Sequence, residues 1–200
     1  YSNDLKVKGG DEVEFKVFIH NNANETTNAS GLGVARDTYA GIDIPQNQYF
    51  TKNEPIGFVG ASNATPQEVF DGTLLSSADG KKFKLDYQEG SAKLNILGGG
   101  QVLPLSDAFV STNGTKVGSE KIDGLWKGCF TYVGWVNIRV KVIAEPEPEV
   151  PNFTIKKYVN GEDAQNKDTS VKVQAEEEYN YKVDVTNTGK TELKNVKVSD

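Results

Sequence analysis

An all-β fold of sandwich modules is predicted by three features of the sequence. Apolar and polar residues alternate with period two, no window sustains a helical period, and one strand-turn-strand phrase occurs twice. The first alternating run sets Val13, Phe15, Val17 and Ile19 against Glu12, Glu14, Lys16 and an outward Phe18. Next, Val136, Ile138, Val140 and Val142 alternate with Asn137, Arg139 and Lys141. A third run sets Tyr179, Tyr181, Val183 and Val185 against Asn180, Lys182, Asp184 and Thr186. Each such run predicts a strand with one buried and one wet face. The lack of helical periods argues against parallel α/β architectures. Gly9-Gly10, Asp71-Gly72, Asp79-Gly80, Gly98 to Gly100, Asp123-Gly124 and Asn160-Gly161 supply turns at the intervals of a sandwich.

The clearest boundary is Ala144-Glu145-Pro146-Glu147-Pro148-Glu149-Val150-Pro151. Proline cannot donate to a ladder and favours polyproline geometry, and the glutamates repel one another. The segment therefore predicts a semi-rigid spacer of about 3 Å per residue. Three parts follow: a β-sandwich domain over 1–143, a Glu/Pro-rich linker over 144–152, and a second module over 153–200. The repeat crosses this boundary. Val17-Phe18-Ile19-His20-Asn21-Asn22 parallels Val183-Asp184-Val185-Thr186-Asn187-Thr188, each after an acidic approach. Each copy is expected to continue through a polar hairpin into a strand ending at Asp37 or Asp200.

Composition narrows the function. A net charge of −6 leaves no basic footprint for nucleic acid or anionic lipid. No stretch approaches the ~20 apolar residues of a membrane-spanning helix. The single cysteine, Cys129, rules out an internal disulfide and a thiolate cluster, and it is expected as a small buried residue starting a strand. The sequence starts at Tyr1 and holds no methionine, which suggests a mature or excised fragment.

Residues 153–200 resemble the immunoglobulin-like repeat module called DUF11, found in tandem on bacterial and archaeal surface proteins. The likeness lies in Lys156-Lys157, in Tyr181-Lys182-Val183-Asp184-Val185-Thr186-Asn187-Thr188-Gly189, and in Leu193 to Asp200. Islands of the first domain, Gly10 to Val13, His20 to Asn22 and Gly90 to Leu94, are similar to surface-protein domains that precede such repeats in uncultivated bacterial lineages. The resemblance implies export, a wall or envelope location, and a structural or adhesive role with no catalytic residues. An immunoglobulin-like module needs roughly seven strands and about 100 residues. The tandem is thus expected to end in an incomplete second module.

No catalytic set is expected. His20, the only histidine, falls on an outward phase, and no Gly-x-Ser-x-Gly phrase provides a nucleophile elbow. One histidine cannot build a usual zinc site. Glu162, Asp163, Asn166 and Asp168 offer oxygen ligands suited to calcium, but their spacing is not that of an EF-hand, so a solvated loop is preferred. Lys157 shares the phase of Phe153 and Ile155 and would face a core. It is the candidate for a covalent lysine–asparagine cross-link, with a snorkelling lysine preferred. Trp126, Phe130, Tyr132 and Trp135 are read mainly as core, with Trp126 kept as the surface contact for a glycan or protein. Five Asn-x-Ser/Thr sequons occur, at Asn24, Asn28, Asn63, Asn113 and Asn152.

The expectation is a non-catalytic structural module of an extracellular cell-surface or wall protein: a stalk, filament or surface-layer component. Its partners would be copies of itself or other surface proteins. The alternative is an adhesin whose first domain binds host glycan or protein.

Overall fold

The computed structural model describes residues 4–199, and the chain divides into two compact units, Tyr1–Glu145 and Pro146–Asp200. The protein is all-β, with mainly antiparallel sheets of sandwich type.

The long strand β12 (Gly134–Ala144) organises the first unit. Along one edge it pairs antiparallel with β2 (Glu12–Ile19) over eight residues, from Gly134↔Ile19 to Lys141↔Glu12. Its other edge is shared. β9 (Lys93–Ile96) takes the first half and β8 (Phe83–Tyr87) the second. β10 (Gln101–Pro104) extends the sheet beyond β9. Where β9 gives way to β8, Ser91 Oγ accepts from Arg139 N at 3.0 Å and Arg139 O accepts from Gln88 N at 2.9 Å. The ladder of β12 thus stays satisfied across the gap.

A four-stranded sheet forms the opposite layer. Its order is β11 (Thr115–Lys116), β3 (Tyr39–Asp43), β5 (Ile56–Gly60) and β6 (Glu68–Gly72). The layers approach closely where Gly57 of β5 faces Val17 of β2. A Cβ on Gly57 would lie 2.9 Å from a Val17 methyl, so glycine sets the layer spacing there. The chain leaves this sheet through Thr73 alone to enter β7 (Leu74–Ser77), in a small sheet with β1 (Asp4–Val7) and β4 (Lys52–Asn53). Asp71-Gly72, predicted as a turn, is instead the end of β6 at this change of sheet.

The alternation reads correctly here. Val13, Phe15, Val17 and Ile19 meet Val136, Ile138, Val140 and Val142 in one core with Ala40, Ile42, Leu75, Phe83, Leu85, Leu94 and Ile96. Burying each large side chain contributes roughly 1.5–3 kcal/mol. Because Ala144 closes β12 and Glu145 N donates to Lys82 O at 2.8 Å, the first unit runs to Glu145.

The second unit is a three-stranded antiparallel sheet of β14 (Glu162–Asp163), β13 (Phe153–Val159) and β15 (Tyr181–Asn187). Asn160 and Gly161, with φ of 49° and 88°, make the left-handed pair that a tight β13–β14 hairpin requires. One face carries Phe153, Ile155, Lys157 and Val159 opposite Asn187, Val185, Val183 and Tyr181. The other carries Tyr158, Lys182 and Asp184, with a 2.9 Å Lys182–Asp184 ion pair and the Lys182 ammonium 5.6 Å from the Tyr158 ring. Leu193, Val196 and Val198 close one side of a groove of about 270 Å³ against Phe153, Ile155 and Val185.

Two expectations of the repeat fail. After β2 the chain forms a 3-10 turn at Glu25–Thr27 and a single bridge between Ala35 and Trp126, with no strand reaching Asp37. After β15, residues 188–199 form no strand either, and Asp200 lies outside the described residues. Side-chain bonding replaced the expected ladder, since Asn24 Oδ1 accepts from Thr26 N at 3.0 Å and bends the chain. After β15 the chain turns at Asn187, whose Oδ1 accepts from Gly189 N at 3.0 Å. Gly189 is required there by crowding rather than by a positive φ, because its Cβ would lie 2.7 Å from Asn152 N.

Candidate functional site

Opposite register turns isolated outward residues into a surface. Trp135 of β12 stands between Phe18 of β2 and Asn95 of β9, and Asn95 stands beside Val102 of β10. The outer face of the five-stranded sheet therefore carries the row Val102–Asn95–Trp135–Phe18. Phe18 and Val102 are each 56% exposed, and Trp135 is half-buried. His20 continues the outward phase of Phe18. Its ring lies 6.4 Å from that of Phe18 and 4.7 Å from that of Phe130, both edge to face. Leu97, also exposed, follows β9 at the same end.

One strand step along, the face turns polar. Asn137 Nδ2 donates to Glu14 Oε1 at 2.7 Å. Asn95 Nδ2 makes only long contacts, 3.2–3.4 Å, to Lys93 O, Trp135 O and Asn137 Oδ1. Glu12 pairs with Arg139 at 3.8 Å beyond. Flat aromatic surface beside amides and a carboxylate can stack on an apolar ring face while bonding its hydroxyls, and it can equally bury a partner's side chains.

The tryptophan expected at this surface is elsewhere. Trp126 is 1% exposed and belongs to the core, so it cannot contact a ligand. Its N–H and C=O bridge to Ala35 at 2.9 Å each way, and Asn21 Nδ2 also donates to its carbonyl at 2.9 Å. The ring lies against Gly134, where a Cβ would come within 2.9 Å of it. The Asp123-Gly124 turn feeds Trp126 inward: Gly124 N donates to Val117 O at 3.0 Å, just after β11. Phe130, expected as core, is 68% exposed.

Cys129 does not start a strand. It is half-buried before the 3-10 turn Phe130–Tyr132, with φ of 98°, and its N–H donates to Asn21 O at 3.1 Å. That bond holds a residue with a Cβ where glycine is usual.

The asparagines of the 21–28 loop act as structural clamps. Asn21 Nδ2 also reaches Gly33 O at 2.8 Å. Asn28 pairs like a base with the backbone of Gly128, accepting at 2.8 Å and donating at 2.9 Å. Asn63 likewise accepts from Arg36 N at 2.8 Å and donates to Val34 O at 3.0 Å. Two of the five sequon amides, Asn28 and Asn63, are thus committed to the fold.

At the base of β8, the Tyr87 hydroxyl donates to Asp107 Oδ1 at 2.6 Å, and Gly90 N donates to the same oxygen at 2.7 Å. These two donors hold the Asp107 carboxyl below the usual range. Burial, and then the Asp107 contact, push Tyr87 up to about 12.

In the second unit, Lys157 is exposed on the apolar face opposite Val183, so it bears no burial penalty of the kind expected. In the loop considered for calcium, Asn166 Oδ1 caps Asp168 N and Thr169 N at 2.9 and 3.1 Å. Asp163 Oδ1 accepts from Gln165 N at 3.0 Å. Among the described residues, no group of three or more His, Cys, Asp or Glu side chains is gathered to hold a metal.

The row on the outer face was partly readable, since Phe18 and His20 stand out as apolar or aromatic on a wet phase. Its continuation across Trp135, Asn95 and Val102 depends on register between strands far apart in sequence. No family model, no curated protein and no solved structure matches the chain.

Proposed function

We propose that this chain is a non-catalytic structural module of an extracellular cell-surface protein, a stalk, filament or surface-layer component. The observation that carries it is the sidedness of the second unit. A sheet polar on one face and lined with Phe153, Ile155, Val183 and Val185 on the other is the form of a module completed by packing against a second sheet. The Glu-Pro spacer before it and the resemblance to DUF11 modules support serial arrangement on the cell exterior. Copies of itself or other surface proteins are the partners of such a module. Negative-stain imaging and light scattering of the purified protein test this reading. Ordered sheets or filaments are expected, and a monomer at every concentration would overturn it.

The adhesin reading has its own observation, the aromatic row on the first unit. It predicts retention on an immobilised polysaccharide or cell-surface protein, lost in Phe18→Ala and Trp135→Ala and unaffected by Phe153→Ala. Retention that survives both outer-face substitutions would remove it.

A further inference from the structure

We propose that the free edge of β6 is a strand-addition site for an extended peptide carrying a large apolar residue with a Lys or Arg two positions to either side. The register fixes which backbone groups are free. Residues opposite one another in β5 and β6 run from Ile56↔Gly72 to Gly60↔Glu68, and beyond the strand Ala61 N donates to Gln67 O at 2.9 Å. Thr73 N donates to Pro55 O at 3.1 Å in the same register. Hydrogen-bonded pairs alternate along an antiparallel ladder. Gln67, Val69, Asp71 and Thr73 therefore bond inward to β5, while Glu68, Phe70 and Gly72 direct their N–H and C=O groups away from the sheet. Asp71 Oδ1 takes the Gly72 N–H at 3.0 Å, which leaves the outward groups of Glu68 and Phe70 as the template.

Side chains select the occupant. Phe70 is 74% exposed, on the outer face of the sheet beside the buried Phe58. An exposed edge with a large apolar residue offers both ladder bonds and a contact surface. The flanks are acidic. Glu68 lies two residues before Phe70 on the same face, held by the Tyr39 hydroxyl at 2.8 Å. Two residues after it, Gly72 leaves a gap that the Glu54 carboxylate covers, an oxygen lying 2.6 Å from where a Cβ would be. A second copy of β6 paired about Phe70 would set its own Glu68 opposite this Glu54 position, so like charges disfavour self-pairing. A peptide residue opposite Phe70 would pack on its ring, and basic residues two away would meet Glu68 and Glu54 on the same face. Charge complementarity thus favours a basic-flanked strand over another copy of this edge.

The test is fluorescence anisotropy of the whole chain with a labelled peptide Thr-Lys-Thr-Leu-Thr-Lys-Thr, against the same peptide with Glu in place of Lys. At least about tenfold tighter binding of the lysine peptide is expected. Phe70→Pro should abolish binding, because it removes an outward N–H while the ladder to β5 stays intact. Its melting temperature checks the fold, and Phe70→Ala, which keeps the N–H, should retain part of the affinity. Glu68→Lys provides a second route and should narrow or invert the preference between the peptides. Equal affinity for the two peptides, no binding up to about 1 mM, or binding unchanged in Phe70→Pro and Glu68→Lys would each overturn the proposal. So would concentration-dependent self-association that Phe70→Pro removes. The outer-face variants Phe18→Ala and Trp135→Ala leave this binding unchanged, which separates it from adhesion through that row.

Discussion

Phe15 and Phe153 both stand on the apolar phase of a strand, yet they finish in opposite surroundings. Phe15 in the first unit is packed between two layers, whereas Phe153 in the second is 56% exposed on a sheet with one open face. Alternation declares which side of a strand is apolar. Whether that side is covered depends on a second layer, and only the first unit supplies one throughout. Gly57 against Val17 shows the covered state, with the layers so close that no Cβ fits between them. The groove beside Phe153, closed on one side by Leu193 and Val198, shows the open one.

That contrast can be broken by substitution. Phe15→Ala should cost about 3–5 kcal/mol and lower the urea midpoint of the first unit, since a two-layer core relaxes only partly around a cavity. An effect below about 1 kcal/mol would mean that the first unit is as loosely covered as the second. Asn21→Ala should cost about 2–3 kcal/mol by the same measurement. It strips the donors that hold Gly33 O and Trp126 O and frees the loop that seals the core.

Tyr87→Phe should cost about 1–2 kcal/mol, and its signature is the pH profile. Asp107 titrates below its ordinary value when folded, so its contribution is complete above about pH 4 and is lost as pH falls through the lowered value. Tyr87 behaves in the opposite sense. Its contribution is complete below about pH 10 and is lost as pH rises through about 12. Denaturation series across pH should show the acid loss flattened in Asp107→Asn, and a slope unchanged in that variant would refute the assignment. The smallest effect belongs to the open face. Phe153→Ala should change stability by less than about 1 kcal/mol, read from the second unit's backbone amide exchange. A cost comparable to Phe15→Ala would show that the face is covered in solution.

Much of the fold was legible because strand alternation is local. β2 and β12 could be read residue by residue, down to the outward Phe18, and the Asn160-Gly161 hairpin followed from turn chemistry. What failed depends on contacts distant in sequence. Trp126 is pulled inward by Ala35 and Asn21, which lie about a hundred residues before it, and nothing in its neighbours announces that. Phe130 is displaced outward by the 3-10 turn that follows Cys129, where a strand was expected. The repeated phrase marked two real strands, but side-chain hydrogen bonds rather than ladder bonds govern what comes after the first. The aromatic row became visible only when register placed Trp135 beside Phe18.

The placement of the two tryptophans has a practical consequence. Trp126 is dry and Trp135 reaches the surface, so their emission differs in colour and in access to a soluble quencher such as acrylamide. Occupation of the outer face shields the red-emitting, quenchable ring. Loss of the core shifts the blue, protected one. Without any label, a single emission spectrum therefore reports surface occupancy and core integrity of the first unit on separate channels.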